Sequence, residues 1–171
     1  MKCIAHKKSY AKAREKLIHD YCRFIVKYLT TATAEIMLEK FNWSQERLEH
    51  FIRDVWSNFD LTNTPLVNIE DFNPKENYGY EVAIKHTLVR DTVSPYTRHI
   101  DSCREQAVRW FIDMLVFTLK NSYDWADSTT DRFVSYLNGY LPALRDGTAS
   151  IDGMLDGLKL RHGLELRMEV V

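Results

Sequence analysis

A short aromatic segment occurs twice in the chain and limits how the chain can fold. Residues 41–43 (Phe-Asn-Trp) return at residues 123–125 as Tyr-Asp-Trp, so an aromatic residue, a short polar residue and a tryptophan follow one another in both places. The two tryptophans are 82 residues apart. Two further apolar pairs have the same offset, Phe51 with Phe133 and Ile69 with Ile151. Large apolar anchors that keep one offset predict a duplicated unit.

Apolar residues at helical spacing predict an all-α protein, a helical bundle made from two related helical units. The first helix is predicted over residues 8–29, because apolar residues recur there at i, i+3, i+4 and i+7. Thr30 and Thr31 interrupt this pattern, so a separate short helix is predicted over residues 32–41. Asn42 is predicted to cap the next helix, which runs to about residue 58, and Gln45 to close its capping box.

The second unit is predicted to follow the same plan. Pro95 suits the first position of a helix over residues 95–121, which is predicted to be the longest. Asp124 is predicted to cap a middle helix that runs to about residue 140, where Pro142 stops it. Ser150 is predicted to cap a short terminal helix that ends before Gly163.

The predicted domain organisation follows from these two units. The first comprises residues 1–80, including a basic N-terminal helix, and the second comprises residues 95–171. Residues 81–94 form the predicted connector. Alternation of apolar and polar residues also predicts a minor strand pair between residues 78–84 and 164–170.

Several motifs of the second unit form a pattern seen elsewhere. They are the run Leu119–Trp125, the pair Arg132-Phe133, the segment Gly147–Asp152 and the ending Gly163-Leu164-Glu165-Leu166. In this pattern, strongest over residues 119–166, the chain resembles small uncharacterised all-helical proteins of phages and prophages. Asn42 and Ser44 stand where that family has glycines. The resemblance implies a mobile-element origin and a cytosolic setting in an infected bacterium, and it brings no known active site.

Charge is unevenly distributed along the chain. Residues 1–27 carry 8 basic and 2 acidic residues, whereas the remainder carries 15 basic and 22 acidic residues. The preferred interpretation is that the basic helix packs against the acidic body of the same protein. The alternative is a nucleic-acid-binding regulator, whose phosphate contacts would come from four lysines. These are Lys7, Lys8, Lys12 and Lys16.

No catalytic constellation, metal site or cofactor is predicted. Two Cys/His pairs have ligand-like spacing, Cys3 with His6 and His19 with Cys22. A continuous helix between the pairs would hold them about 16 Å apart, too far for one metal ion. A third group, His86, Asp91 and His99, is interpreted as solvated loop residues because no ligand motif supports it. A metalloprotein or enzyme that uses these histidines is the least favoured hypothesis.

The favoured hypothesis is a non-enzymatic protein that binds a bacterial or phage protein. An inhibitor of a host defence nuclease, in the manner of an anti-CRISPR protein, is its most concrete version. Trp56, Tyr78 and Tyr80 are the predicted partner contacts, because Trp and Tyr dominate interface hot spots. The three cysteines and the polar, basic start predict a cytoplasmic protein. No membrane segment is expected, because the longest apolar stretch, residues 107–119, contains charged residues and is too short to span a bilayer. A homodimer is compatible with the sequence.

Overall fold

The computed structural model describes residues 2–58 and 95–166, with side chains from 16 to 57 and from 99 to 166, and this part of the chain is all helical. The all-α prediction is therefore confirmed. The six helices of the described residues are α1 (Lys2–Lys40), α2 (Gln45–Asn58), α3 (Pro95–Tyr123), α4 (Asp127–Asn138), α5 (Leu141–Asp146) and α6 (Ile151–His162). Of the predicted strand pair, residues 78–84 lie outside the described residues. Residues 164–166 form irregular structure and not a strand.

The first helix is continuous through the two threonines that were predicted to break it. Thr30 Oγ1 donates to the carbonyl of Val26 at 2.8 Å, and Thr31 Oγ1 donates to the carbonyl of Lys27 at 2.9 Å. Both hydroxyls thus find acceptors within the helix, which lets them be buried there. The separate helix over 32–41 is therefore wrong, and α1, with 39 residues, is longer than α3, with 29.

The repeated aromatic segments end helices and do not begin them. Asn42 has φ 53° and Asp124 has φ 52°, the left-handed conformation that commonly follows the last residue of a helix. The predicted cap at Asn42 is wrong, because the Oγ of Ser44 accepts from the backbone N–H of Arg47 at 3.2 Å. The predicted cap at Asp124 is wrong as well, since the residue preceding α4 is Ala126.

The two long helices lie side by side and run in the same direction. Toward the start of α3, the guanidinium of Arg104 lies 5.0 Å from the ring centroid of Tyr21, at the midpoint of α1. After their ends, the rings of Trp43 and Trp125 are in contact. α1 also packs against α4, and α3 packs against α2. The hairpins α1–α2 and α3–α4 are therefore related by an approximate twofold axis between α1 and α3.

The last two helices complete the structure on one side of α1. Pro142 lies in the first turn of α5 and does not end α4, which stops at Asn138. The predicted cap at Ser150 is confirmed, because its side chain accepts from the backbone N–H of Gly153 at 3.2 Å. Gly163, with φ 65°, follows α6 as predicted.

α6 is fastened to α1 by charged and polar contacts. Arg161 pairs with Glu35, and its Nε lies 3.1 Å from a carboxylate oxygen of Glu39. Gln45 donates to the carbonyl of His162, so it links α2 to the end of α6 and does not close a capping box. α6 therefore runs along α1 in the same direction, with its C-terminal end near the start of α2.

The predicted domain organisation and the predicted absence of a membrane segment concern the chain as a whole. The predicted boundary at residue 80 and the connector over 81–94 lie outside the described residues. Among the helices that are described, none is both long enough and apolar enough to cross a membrane.

Candidate functional site: an aromatic–arginine platform

A cluster of aromatic rings and arginines lies at the end of the bundle where both hairpins turn. Six side chains form this platform, and all six are at least partly exposed: Phe41, Arg47, Tyr123, Trp125, Arg132 and Tyr136. Trp43 lies beneath them and is 7% exposed. The platform therefore joins a buried tryptophan to a solvent-accessible aromatic surface.

The helix ends position these rings in a symmetric way. After each long helix, the left-handed residue turns the chain so that the next tryptophan donates its backbone N–H to the helix, at 3.0 Å from Trp43 to Met37 and at 3.2 Å from Trp125 to Leu119. Both tryptophans are thereby directed toward the axis between the hairpins. Their rings meet edge to face there, with centroids 5.7 Å apart.

Equivalent rings make equivalent contacts on the two sides of this axis. The ring centroids of Phe41 and Trp125 are 4.7 Å apart, and those of the counterparts Tyr123 and Trp43 are 5.4 Å apart. Each tryptophan also meets the edge of a buried phenylalanine of its own hairpin. These are Phe51, at 5.6 Å, and Phe133, at 6.1 Å. Like surroundings for both tryptophans agree with the repeat in the sequence.

The arginines rest on the aromatic rings at two edges of the platform. The guanidinium carbon of Arg47 lies 4.3 Å from the ring centroid of Trp43 and 5.8 Å from that of Tyr123. Arg132 lies 5.8 Å from the ring centroid of Phe41. A guanidinium on an aromatic face is attracted by the ring quadrupole, so both side chains are held in place while they remain exposed. Each can then donate to a partner at a lower entropic cost.

The two edges of the platform carry different polar groups. Tyr123 Oη donates to Asp54 Oδ2 at 2.8 Å. Burial, together with this hydrogen bond to a carboxylate, raises the pKa of Tyr123 to about 12, although the nearby Arg47 acts in the opposite direction. The residue equivalent to Asp54 is Tyr136, which is 37% exposed and meets the edge of Phe41 at 6.1 Å. At one edge the phenol hydroxyl is thus engaged by a carboxylate, and at the other a phenol ring is exposed.

This arrangement is suited to binding a protein. Trp, Tyr and Arg are the residues that contribute most to interface hot spots, especially where rigid side chains sit over a packed core. The described residues contain no group of three or more His, Cys, Asp or Glu side chains able to hold a metal ion. The platform offers apolar ring area and two positioned cations, which together can bind an apolar patch that has acceptors at its border.

The residues predicted to contact a partner lie away from the platform or outside the described part. Trp56 is half-buried and packs against the core, and it lines a small crevice with Thr30, Val55 and Leu115. Tyr78 and Tyr80 fall outside the described residues. Whether any of these three contacts a partner stays a prediction.

The residues considered for nucleic acid and metal are only partly described. Lys16 is exposed on α1. Lys7, Lys8 and Lys12 belong to the same helix, but their side chains lie outside the described part, as do those of Cys3 and His6. Cys22 is buried, as its place on the apolar face predicts, and burial next to Cys103 raises its pKa to about 12.

Sequence reasoning found the tryptophans but missed the platform. The sequence predicts that Trp43 and Trp125 are packing residues. Arg132 enters only through the motif pair with Phe133, and neither Arg132 nor Arg47 is predicted to bind a partner. The available signal was that an arginine follows each tryptophan within the next two helical turns. That signal indicates a binding surface only when the rings are known to be partly exposed.

Comparisons with protein-family models, curated proteins and solved structures give no match. The resemblance to small phage and prophage proteins therefore stays a prediction.

Proposed function

We propose that this protein is a non-enzymatic interaction protein that binds another protein through the aromatic–arginine platform. The observation that supports the proposal is the partial exposure of Phe41, Trp125 and Tyr136 between two ring-stacked arginines. A purely structural cluster has little reason to leave such large rings in contact with water. The same rings are already ordered by their packing, so a partner gains apolar contact at a small entropic cost.

The most concrete version is a phage protein that acts in the cytoplasm of an infected bacterium and inhibits a host defence nuclease. Its support is the resemblance of residues 119–166 to phage proteins, together with the platform. The partner is then a bacterial or phage protein with an apolar patch bordered by carboxylates or carbonyls that accept from Arg47 and Arg132.

A plaque assay with charge-reversed variants tests this version. The protein is produced in bacteria that carry a CRISPR–Cas system directed against an infecting phage, and plaques are counted with and without it. We expect the wild type to restore plaques and both Arg47→Glu and Arg132→Glu to abolish the effect. Arg53→Glu, at another exposed position on α2, is the matched control and keeps the wild-type effect.

The same variants test the broader proposal without assuming a defence system. The protein is cross-linked to its partners in the producing cell, and the attached proteins are identified by mass spectrometry. A protein partner that is present with wild type and Arg53→Glu but absent with Arg132→Glu supports the platform. A partner that remains with both platform variants removes the platform from the proposal, and the absence of any protein partner overturns it.

The second candidate function is nucleic-acid binding through α1. The observation that favours it is that α1 is one continuous helix from Lys2, so its spacing of four places Lys8, Lys12 and Lys16 on one face. We expect a gel shift at low salt that weakens steeply as salt increases, because phosphate contacts release counterions. Changing Lys7, Lys8, Lys12 and Lys16 to Glu abolishes the shift. No shift with wild-type protein at low salt contradicts this function.

A further inference from the structure

A groove follows the middle of α1, from Leu17 to Lys27, away from the platform. A cavity of about 490 Å³ lies between α1 and α5, and a second of about 540 Å³ lies between α1 and the start of α6. Phe24 and Ala149 line both cavities, which therefore form one groove. Tyr21, near its middle, is 16 residues before Met37, about 24 Å along α1, and Trp43 turns back to donate its backbone N–H to the Met37 carbonyl. The groove and the platform are separate surfaces.

The wall of the groove that α1 contributes is an exposed apolar stripe. Leu17 is 37% exposed, and Tyr21 and Phe24 are each 36% exposed. These three are among the five large hydrophobic side chains exposed in the described residues, and their i, i+4, i+7 spacing places them on one helix face. Further along α1, the N-terminal end of α6 lies beside Phe24 and its C-terminal end beside Glu39. The stripe is thus the open continuation of a surface that already binds a helix.

The floor of the groove is held in a fixed shape by Arg104. Its guanidinium lies 5.0 Å from the ring centroid of Tyr21, and its Nη2 donates to the carbonyl of Leu144 at 2.9 Å. Its Nη1 lies 3.4 Å from Asp101 Oδ1. One side chain therefore joins α1, α3 and α5, so a docking helix meets a preformed surface.

We propose that this groove is the contact surface of a homodimer, with α1 of a second copy crossing α1 of the first. A groove of this kind accepts a helix that presents apolar anchors at i, i+4 and i+7. α1 is such a helix, because its stripe of Leu17, Tyr21 and Phe24 presents apolar side chains at this spacing. Because groove and stripe share one surface patch, each copy supplies both parts, as a twofold dimer requires.

Charges beside the stripe fit an antiparallel crossing. Asp20 and Lys27 are seven residues apart, so they lie on the same side of the stripe, and both line the groove. A crossing that places Tyr21 opposite Phe24 of the second copy brings Asp20 within reach of Lys27 of the second copy. The twofold axis repeats this ion pair.

The overall charge of the groove agrees with a neutral partner surface. Three acidic and three basic residues line it, so these charges balance. The groove therefore does not repel the same groove of a second copy or an uncharged helix. It also lacks the positive field that nucleic acid requires. The acidic residues are Asp20, Asp146 and Asp152, and the basic residues are Lys27, Arg104 and Arg145.

Sedimentation velocity of the full chain over a range of concentrations tests the proposal. We expect wild-type protein to double its mass as concentration rises. Phe24→Glu places a charge in the middle of the contact, and we expect it to weaken association by roughly thirtyfold or more, the loss typical of a hot spot. Leu160→Glu is the matched control, because Leu160 is 86% exposed and lies outside the groove, and it keeps the wild-type association. Circular dichroism confirms that both variants are folded.

A charge-swap cycle identifies the geometry independently of apolar packing. Asp20→Lys and Lys27→Asp each place like charges opposite one another and weaken the dimer, whereas the double variant restores the ion pair and the association. A wild-type protein that is monomeric at every concentration overturns the proposal. A dimer that is unaffected by Phe24→Glu, or a double variant as weak as the single ones, overturns it as well. None of these outcomes depends on whether the platform binds a partner.

Discussion

Trp43 and Trp125 meet edge to face on the axis that relates the two hairpins, with their ring centroids 5.7 Å apart. Each ring also packs against an aromatic residue of the opposite hairpin, Tyr123 for Trp43 and Phe41 for Trp125. Each turn is closed by a backbone hydrogen bond of its own hairpin, but the packing of its tryptophan ring is completed by the other hairpin. The contact therefore couples the folding of the two related halves.

Replacing the tryptophans should show this coupling. We expect Trp43→Ala to lower the free energy of unfolding by about 3–5 kcal/mol, because a nearly buried ring is lost, and Trp125→Ala to cost less, because its ring is half-exposed. The double variant should cost about 0.5–1.5 kcal/mol less than the sum of the single effects. Urea denaturation of the four proteins measures these values. Strict additivity contradicts the coupling.

Glycine at the two left-handed turn positions should make the folded protein more stable than the present Asn42 and Asp124 do. We expect Asn42→Gly and Asp124→Gly each to raise the free energy of unfolding by about 0.5–1 kcal/mol, because glycine adopts positive φ without steric cost. Asn121→Gly, in the helix that precedes Asp124, is the control and should lower stability by about 0.3–0.5 kcal/mol. Thermal unfolding measures all three. A loss of stability at both turns contradicts the expected strain.

The phenol of Tyr123 should make stability depend on alkaline pH. Its pKa is raised to about 12, so its hydrogen bond to Asp54 contributes fully below the unfolded value near 10 and is lost as pH rises through 12. We expect Tyr123→Phe to cost about 1 kcal/mol at pH 8 and progressively less above pH 10. Urea denaturation at several pH values measures the difference. With Asn in place of Asp54, the pH dependence should be smaller, because only the contribution of burial to the raised pKa remains.

Cys22 should be protected from thiol reagents in the folded protein. Burial, and the neighbouring thiol of Cys103, raise its pKa to about 12, so little thiolate forms near neutral pH. We expect alkylation of Cys22 by iodoacetamide at pH 8 to be slower by a hundredfold or more, as an order of magnitude, than in urea-unfolded protein. Mass spectrometry of the peptide that contains Cys22 follows the rate. Equal rates in both states contradict the buried placement.

Local patterns were sufficient for part of the fold. The cap at Ser150 and the glycine after α6 were predicted correctly, because these signals act through neighbouring backbone groups. The break at Thr30 and Thr31 was predicted wrongly, since burial by other helices makes it favourable for both hydroxyls to bond within the helix. Tertiary surroundings decided that outcome, and an amino-acid pattern does not contain them.

The turns and the platform show a second limit of sequence reasoning. A short polar residue before a tryptophan fits the start of a helix as well as the end of the previous one, so Asn42 was assigned to the wrong helix. The contacts of Arg132 with Phe41, and of Arg47 with Tyr123, cross between hairpins. Such pairs become visible only when the relative position of the hairpins is known. The repeat indicated that the halves are related, but it did not indicate which face stays exposed.

The approximate twofold axis through the platform has a consequence for any ligand that approaches it. Two poses, half a rotation apart, would present nearly the same rings, so aromatic packing alone discriminates poorly between them. The positions that break the equivalence are Arg47 against Thr129, His50 against Arg132, Asp54 against Tyr136 and Phe41 against Tyr123. These side chains must therefore select the pose, and exchanging them between the halves should turn a bound ligand around without releasing it.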